Sequence, residues 1–232
     1  MQLFYCPDVL HDACYLNSEE SKHCIKVLRK KEGDLINLID GQGQFYEVII
    51  TIASQKKVSF DIQKTWREKE SDYSLHIAIA PTKNNDRLEW FLEKATEIGV
   101  AEITPIVCQN SERRIIKHER LMKIILSATK QSLKAKVPKL NPLQTFKEFV
   151  STKQESSCFI AHCKEEDKTY LKNVISTNNV VLIGPEGDFT STEIDLALKQ
   201  NYKAVSLSNS RLRTETAGLV ACNTIALHYE KN

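Results

Sequence analysis

The sequence predicts an α/β protein in which a small β-rich segment precedes a larger parallel sheet. Three observations predict this class: strand patterns dominate the first 70 residues, a charged stretch follows, and strand and helix patterns then alternate. Such alternation is typical of a parallel sheet with helices on both faces. We therefore expect two domains, residues 1–70 and 74–232, joined by a linker at residues 66–73.

The first domain is predicted to be a small β-barrel with one basic helix. Three segments show apolar strand patterns: residues 35–39, 45–52 and 58–62. The residues Asp40-Gly41-Gln42-Gly43 predict a turn between the first two strands. Asn17 and Glu20 form a capping-box pattern at the start of the helix. The polar face of this helix carries Lys22, His23, Lys26, Arg29 and Lys30.

Strands and helices alternate through the second domain. Strand patterns cover residues 75–80, 103–107, 158–161, 180–183 and 204–207. Helical patterns cover residues 87–98, 117–134 and 214–229, and one more lies between the last two strands. Asp86 with Glu89 and Thr190 with Glu193 are capping-box patterns. The last helix is apolar nearly all round, so we expect it to be buried in the core or in a subunit interface.

Composition places the chain among ordinary soluble proteins. Hydrophobic residues make up 41% and charged residues 27%, and no apolar run approaches the ~20 residues of a membrane span. The first residues lack the features of a signal peptide, so we expect a cytoplasmic protein without membrane contact. The seven cysteines are scattered without a C-x-x-C pair. This spacing argues against a disulfide framework and against a metal site.

Basic residues are concentrated in two places, although the net charge is only +2. Between residues 113 and 139, Glu119 is the only acid among many Lys and Arg residues. Residues 22–31 form a shorter basic cluster. Such clusters are typical of contact with a polyanion such as nucleic acid. A solvated helix face has the same pattern, and the clusters alone do not separate the two interpretations.

Two short motifs of the second domain carry the candidate chemistry. Gly184-Pro185-Glu186-Gly187 follows the strand pattern at 180–183, and ligands of α/β sheets bind beyond the carboxyl ends of strands. Its glycines let backbone amides approach an adenine or a ribose. Residues 211–216, Arg-Leu-Arg-Thr-Glu-Thr, bring charge to the start of the last helix. An ordinary β–α turn and a structural ion pair are the alternatives, and neither motif matches a dinucleotide or phosphate loop.

Motifs spread over nearly the whole chain resemble one known family. The N-terminal pattern comprises His23, Val27, Leu28, Arg29, Gly33, Asp34, Asp40, Gly41 and Gly43. Two further blocks comprise Lys83, Arg87, Glu89, Lys94, Glu97, Gly99, Val100 and Pro105, then Gln131, Ser132 and Pro138. Residues 184–187 and 212–217 resemble the two cofactor loops of that family. The chain thus resembles the ribosomal small subunit methyltransferase E family of the SPOUT superfamily.

Three positions depart from the pattern of this family. Asp188 and Ser208 stand where the family usually has glycines, one in each cofactor loop. Lys134 replaces a usual arginine, which keeps the charge but loses the bidentate phosphate geometry. The first two departures bear on the backbone geometry of the cofactor pocket.

The resemblance implies a PUA-like β-barrel that helps to bind RNA and a C-terminal domain tied in a trefoil knot. It also implies a homodimer that binds S-adenosylmethionine and methylates N3 of one uridine in 16S ribosomal RNA, in the assembled small subunit. The alternatives are a SPOUT enzyme with a different RNA nucleotide as its target, and a non-catalytic RNA-binding module.

The resemblance also implies a role for particular residues. The expected cofactor-binding residues are Ala161, Ile183, Gly184, Pro185, Glu186, Gly187, Leu207, Ser208, Asn209, Leu212 and Thr214. The expected RNA contacts are Lys22, His23, Lys26, Arg29, Lys83, Arg87, Arg113 and Lys134. Arg213 and Glu215 are the expected catalytic residues. Arg213 is expected to stabilise a flipped uracil, and Glu215 to orient it or to help remove its proton.

Overall fold

The computed structural model describes residues 2–10, 14–164 and 167–230. The chain divides into two compact units, residues 1–70 with 126–137 and residues 71–125 with 138–232. Residues 126–137 were predicted to belong to the second domain, whereas the structure groups them with the first unit.

A four-stranded sheet, in the order β1-β2-β3-β4, is the centre of the first unit. Its strands are β1 (Leu3–Tyr5), β2 (Leu35–Ile39), β3 (Gln44–Ala53) and β4 (Val58–Arg67). The first pair is parallel and the other two pairs are antiparallel. The predicted turn between β2 and β3 is confirmed, since Gly41 and Gly43 have φ angles of 84° and 100°. The predicted linker is wrong at its first two residues, because Trp66 and Arg67 belong to β4.

One short helix, α1 (Ser18–Lys22), lies in the first unit and continues as a π-helix over His23–Val27. Asn17 caps α1 as predicted, because its side chain accepts a 2.9 Å hydrogen bond from the Glu20 amide. The other half of the predicted capping box is wrong. The buried Glu20 carboxylate instead accepts a 2.6 Å hydrogen bond from Lys130.

The contacts of residues 126–137 explain why this segment groups with the first unit. Lys130 pairs with Glu20, and Ala135 packs in a small core against Leu3 and Ile39. The Glu68 carboxylate accepts hydrogen bonds of 2.8 Å from the amides of Ala135 and Lys136. None of these long-range contacts is visible in the local sequence pattern.

The second unit contains the predicted parallel sheet, and its order is β10-β12-β9-β11-β5-β6-β7, with β8 paired to β6. The strands are β5 (Ser74–Ile79), β6 (Glu102–Val107), β7 (Lys139–Leu140), β8 (Gln144–Thr145), β9 (Ser157–Ala161), β10 (Thr169–Tyr170), β11 (Asn178–Ile183) and β12 (Lys203–Ser206). Every pair in it is parallel. Strands β7, β8 and β10, which have two residues each, were not predicted from the sequence.

The remaining helices are α2 (Asn85–Ile98), α3 (His118–Gln131), α4 (Phe146–Ser151), α5 (Ser191–Lys199) and α6 (Thr214–Tyr229), with a 3₁₀ turn at Leu171–Asn173. The predicted capping box of Thr190 and Glu193 is present at α5. The prediction for α2 is wrong at its start, because the side chain of Asn84 rather than Asp86 caps the helix. No helix of the described residues has the length and apolar character needed to cross a membrane.

Close packing against α2 and β5 fixes the position of α6. A Cβ atom at Gly218 would lie 2.6 Å from the Phe91 ring and 3.1 Å from Ile79, so only glycine fits there. One side of α6 is buried, whereas Leu227 is 56% exposed. The single chain therefore leaves part of this apolar helix uncovered.

Candidate functional site

The carboxyl ends of β9 and β11 face the start of α6 across a cavity of about 280 Å³. Ala161 and Ile183, which end the two strands, are paired in register. The cavity is lined by Ala161, Cys163, Ile183, Gly184, Pro185, Glu186, Asp188, Arg211, Leu212, Arg213, Thr214 and Ala217. The structure therefore brings together the two motifs that the sequence analysis selected. We call this space the strand-end cavity.

A second cavity, of about 350 Å³, shares part of this wall and extends beyond β12. Both cavities are lined by Ala161, Cys163, Arg211, Leu212 and Ala217. The predicted residues Leu207, Ser208 and Asn209 line the second cavity. Gly187 lines neither of the two; Asn110 packs against it and donates a 3.1 Å hydrogen bond to its carbonyl. All other predicted cofactor-binding residues lie on these two walls.

Hydrogen bonds from distant segments hold the loop at residues 184–189. The buried Thr214 hydroxyl donates to the carbonyl of Gly184 over 3.0 Å, which ties the loop to the first turn of α6. The Lys83 amide donates to the Glu186 carboxylate over 3.0 Å. A Cβ atom at Gly184 would lie 3.1 Å from the Phe189 ring, so the loop also packs tightly on its inner side.

Asp188 contributes a further connection within this loop. Its φ angle of 62° lies in the left-handed region, which glycine adopts without strain and aspartate tolerates. Its carboxylate accepts hydrogen bonds of 2.8 Å from the amides of Cys163 and Phe189. The departure from glycine at this position therefore keeps the backbone conformation and adds a link to the segment after β9.

The loop at residues 207–212 is held differently. Ser208 accepts a 3.1 Å hydrogen bond from the Ser210 amide through its hydroxyl, and a 3.1 Å bond from Ser206 through its carbonyl. Asn209 accepts a hydrogen bond from the Tyr170 hydroxyl. The φ angle of Ser208 is not in the left-handed region that favours glycine, so a serine fits here without strain.

Arg213 and Glu215, the predicted catalytic residues, lie at a third cavity of about 610 Å³. It is lined by Asp86, Arg87, Trp90, Arg211, Leu212, Arg213, Glu215 and Thr216. The guanidinium of Arg87 approaches Glu215 to 3.7 Å. Glu215 is only 7% exposed, and its Oε2 atom has no hydrogen-bond partner. Because Arg213 also lines the strand-end cavity, the two spaces meet at this residue.

The predicted RNA contacts are distributed over both units. Lys22, His23, Lys26 and Arg29 lie on or directly after α1 and the π-helix of the first unit. Lys22, Lys26 and Arg29 are exposed, whereas His23 is half-buried with its ring 6.0 Å from that of Phe4. Lys134 is a half-buried residue of the same unit.

The basic residues of the second unit are partly neutralised. Arg113 donates hydrogen bonds to the carbonyls of Lys83 and Thr82, at 2.7 Å and 3.1 Å, and so holds the segment before α2. Lys83 lies 2.8 Å from Glu112, and this hydrogen-bonded carboxylate raises the lysine pKa. Arg120 pairs with Glu89 at 2.6 Å. Within the basic segment at residues 113–139, the charge of Arg120 is therefore balanced by Glu89.

Several residues of the site were not predicted from the sequence. Trp90 and Cys163 line the cavities, and Asn110 supports the 184–189 loop. Trp90 follows Arg87 by three residues, so the helical period would have placed it beside Arg87. The other contacts join segments far apart in sequence and leave no local signal. Within residues 2–10, 14–164 and 167–230, no three metal-ligating side chains gather in one place.

Family models match both parts of the chain. A model of an RNA methyltransferase domain matches residues 69–226, and a model of an RNA methyltransferase PUA domain matches residues 16–63. The first match covers more than half of the chain and includes all three cavities.

Individual proteins are similar to this chain over most of their length. The Ribosomal RNA small subunit methyltransferase E of Rickettsia conorii is 28% identical, over 91% of this chain and 88% of its own. The crystal structure of a probable rRNA-methyltransferase from Porphyromonas gingivalis is 39% identical, with a TM-score of 0.92 over 99% of this chain and 98% of that one. A Ribosomal RNA small subunit methyltransferase E from Neisseria gonorrhoeae, bound to S-adenosyl methionine, is 27% identical, with a TM-score of 0.85 over 96% and 95%. The motifs, the fold and these relatives together place the chain in the ribosomal RNA small subunit methyltransferase E family of RNA methyltransferases.

Proposed function

We propose that this protein transfers the methyl group of S-adenosylmethionine to N3 of one uridine in 16S ribosomal RNA. The observation that carries the proposal is the junction at Thr214. This residue ties the backbone-lined strand-end cavity to a helix start that presents Arg213 and Glu215. The N. gonorrhoeae relative, which binds S-adenosyl methionine, supports the choice of cofactor.

The strand-end cavity and its neighbour have the chemistry that this cofactor needs. Ile183, Leu212 and Ala217 supply apolar wall for an adenine ring, and the segments at 184–186 and 207–209 supply backbone donors and acceptors. The residues that would hold the cofactor are therefore those expected from the sequence, apart from Gly187. When bound, the cofactor supplies a sulfonium methyl group that is already activated for transfer.

The demands on the protein are then alignment and charge control. The uridine N3 atom forms a bond to the methyl carbon as the carbon–sulfur bond breaks, and its proton must leave. Glu215 has one buried oxygen without a partner, which suits it to orient the N3–H group or to accept its proton. The Arg213 guanidinium stabilises the negative charge that develops on the uracil.

RNA recognition is assigned to the predicted RNA contacts of both units. The exposed residues Lys22, Lys26 and Arg29 are placed to neutralise phosphates, and the PUA match supports an RNA-binding role for the first unit. We expect 16S ribosomal RNA in an assembled small subunit as the substrate, in the cytoplasm. We also expect a trefoil knot in the second unit and a homodimer. The exposed Leu227 of the apolar α6 would lie in the subunit interface.

Arg213→Ala is the variant that tests the assignment. It should abolish methyl transfer to small subunits from a strain that lacks this protein, while the Kd for S-adenosylmethionine stays within about threefold by calorimetry. Arg67→Ala, which changes an exposed arginine of the first unit, is the matched control and should keep full activity. Retained transfer by Arg213→Ala would contradict the catalytic role of this residue.

The position of the methyl group is read from the product. N3 methylation blocks the pairing edge of uracil, so reverse transcription of 16S ribosomal RNA should stop at one uridine in the wild-type strain. The stop should disappear in the strain that lacks the protein. A stop that persists would point to a different target nucleotide, and a protein that fails to bind S-adenosylmethionine would be an RNA-binding module.

A further inference from the structure

Trp90 is an exposed tryptophan at the wall of the third cavity. Trp90 is 42% exposed, although large aromatic side chains are usually well covered in a folded chain. Trp66, the other tryptophan, is half-buried and stacks on Phe45 with ring centroids 5.3 Å apart. The structure thus leaves one indole packed and the other open toward a cavity.

The charges around Trp90 are arranged as in a ligand site. Arg87 lies one helical turn before it on α2, and Arg211 and Arg213 face it from the segment before α6. Glu215 supplies a buried carboxylate whose Oε2 has no hydrogen-bond partner. Burial of an unpartnered carboxylate oxygen costs free energy, and a ligand with a donor group would remove this cost.

The ion pair of Arg87 with Glu215 leaves hydrogen-bonding groups of both side chains available to a ligand. The Arg87 Nε atom is 3.7 Å from Glu215, which is longer than a hydrogen bond. Both groups therefore keep directional donors or acceptors for a third partner. An aromatic face with donors and acceptors at its margin is the arrangement by which proteins hold an unstacked nucleobase.

We propose that the third cavity receives the target uracil and that Trp90 is the surface on which this base stacks. This inference rests on the proposed function and deepens it by assigning a site for the base. A base on Trp90 would lie beside Glu215, which can accept its N3–H group. It would also lie beside Arg213, which borders the strand-end cavity, so that base and cofactor occupy neighbouring spaces.

Fluorescence offers a direct test that needs no methyl transfer. The chain has two tryptophans, so Trp90 is the single one in a Trp66→Phe variant. Titration of this variant with uridine 5′-monophosphate, excited at the red edge of the indole band, should quench Trp90 in a saturable way. Ribose 5-phosphate should leave the fluorescence unchanged. The Trp90→Phe variant, which retains Trp66, should show no saturable quenching.

Kinetics provide the second test. With S-adenosylmethionine at saturation, Trp90→Ala should lower kcat/KM for the ribosomal substrate by about 10- to 100-fold, the usual range for loss of one stacked base. Trp90→Phe, which keeps an aromatic face, should recover most of this loss. The Kd for S-adenosylmethionine should be unchanged in both variants, and circular dichroism should confirm that both fold.

The outcomes separate this inference from the proposed function. Saturable quenching by uridine monophosphate without any methylation of 16S ribosomal RNA would support the base site and contradict the proposed function. Methyl transfer by the wild type, combined with an unaffected Trp90→Ala and no quenching, would overturn the base site alone. Dissociation of a dimer by Trp90→Ala would also overturn it, because Trp90 would then be an interface residue.

Discussion

The two loops that form the strand-end cavity are stabilised in different ways. The 184–189 loop is bonded to distant segments, since Thr214, Lys83, Asn110 and Cys163 all donate hydrogen bonds to it. The 207–212 loop has mainly short-range bonds, such as those of Ser208 with Ser206 and Ser210. Gly184 and Pro185 are buried, whereas residues 209–211 are exposed.

This difference indicates a division of roles between the loops. A loop that is already fixed loses little conformational freedom when it binds a ligand, so it can supply a preformed backbone surface. A loop with few long-range contacts can adjust around the same ligand. We infer that the 184–189 loop defines the shape of the site and that the 207–212 loop contributes a less firmly held wall.

The largest expected effect follows from Thr214→Val, which removes the hydroxyl donor to the buried Gly184 carbonyl. We expect a loss of about 1–3 kcal/mol in the free energy of unfolding, because an acceptor is left unsatisfied. The affinity for S-adenosylmethionine should fall with it. Urea unfolding and calorimetry measure the two quantities. Thr216→Val changes a half-buried hydroxyl of the same turn and is the control; an equal effect of both variants would contradict the role of the bond.

Substitutions of Asp188 test whether its carboxylate holds the 184–189 loop. Asp188→Ala should destabilise by about 1–2 kcal/mol, since it loses the bonds to Cys163 and Phe189 and retains a strained left-handed backbone. Asp188→Gly should cost less, because glycine relieves the strain, and Asp188→Asn should also cost less, because its single side-chain oxygen retains one of the two bonds. Thermal and urea unfolding of the three variants measure the order. An Asp188→Gly variant more stable than the wild type would show that the relief of strain exceeds the contribution of the carboxylate bonds.

His76 on β5 and Thr104 on β6 form a polar contact outside both loops, and it provides a reference for the pH dependence of stability. Burial lowers the pKa of His76, whose Nε2 lies 2.7 Å from the Thr104 hydroxyl. The unfolded chain therefore binds a proton more readily than the folded one as the pH falls below the ordinary value of 6.5, and stability decreases there. Between pH 7.5 and 5.5 we expect a loss of up to about 1 kcal/mol from this residue.

Variants locate that pH effect. In His76→Gln the decrease should be smaller than in the wild type, as measured by urea unfolding at the two pH values. The loop variants of Thr214 and Asp188 should retain the wild-type pH dependence. A pH profile altered by the loop variants and not by His76→Gln would place the titrating group elsewhere.

The smallest effects are expected in the 207–212 loop. Ser208→Gly restores the glycine that is usual in the family, and Ser208→Ala removes only the hydroxyl that accepts from Ser210. Both should change the free energy of unfolding by less than about 0.5 kcal/mol, as for most partly exposed polar side chains. A loss as large as that of Asp188→Ala would remove the difference between the loops.

Local patterns predicted the framework of the second unit well. Strands β5, β6, β9, β11 and β12 and helix α6 lie where apolar segments placed them. The same patterns brought Gly184 and Thr214 to one cavity, because both follow or open a regular element. Patterning carries this information since strand and helix faces must bury apolar residues with fixed periods.

Features that depend on long-range contacts were beyond the sequence pattern. Strands of two residues, such as β7 and β10, are too short to show a period. The grouping of residues 126–137 with the first unit depends on the contacts of Lys130 with Glu20 and of Glu68 with Ala135. Arg113 was predicted as an RNA contact, and in the structure its guanidinium donates hydrogen bonds to the carbonyls of Thr82 and Lys83. A charged residue in sequence does not reveal the partner that it finds in the fold.

The bond between Thr214 and Gly184 also has a thermodynamic consequence. It makes the first turn of α6 and the 184–189 loop parts of one cooperative element, because disorder in either breaks the same buried interaction. A ligand that binds the loop should therefore protect the first turn of α6 against local opening. By linkage, a partner that binds and stabilises this turn raises the affinity of the loop for its ligand. The ligand raises the affinity for that partner by the same factor. Amide hydrogen exchange along α6 would report occupancy of a cavity that most of this helix does not touch.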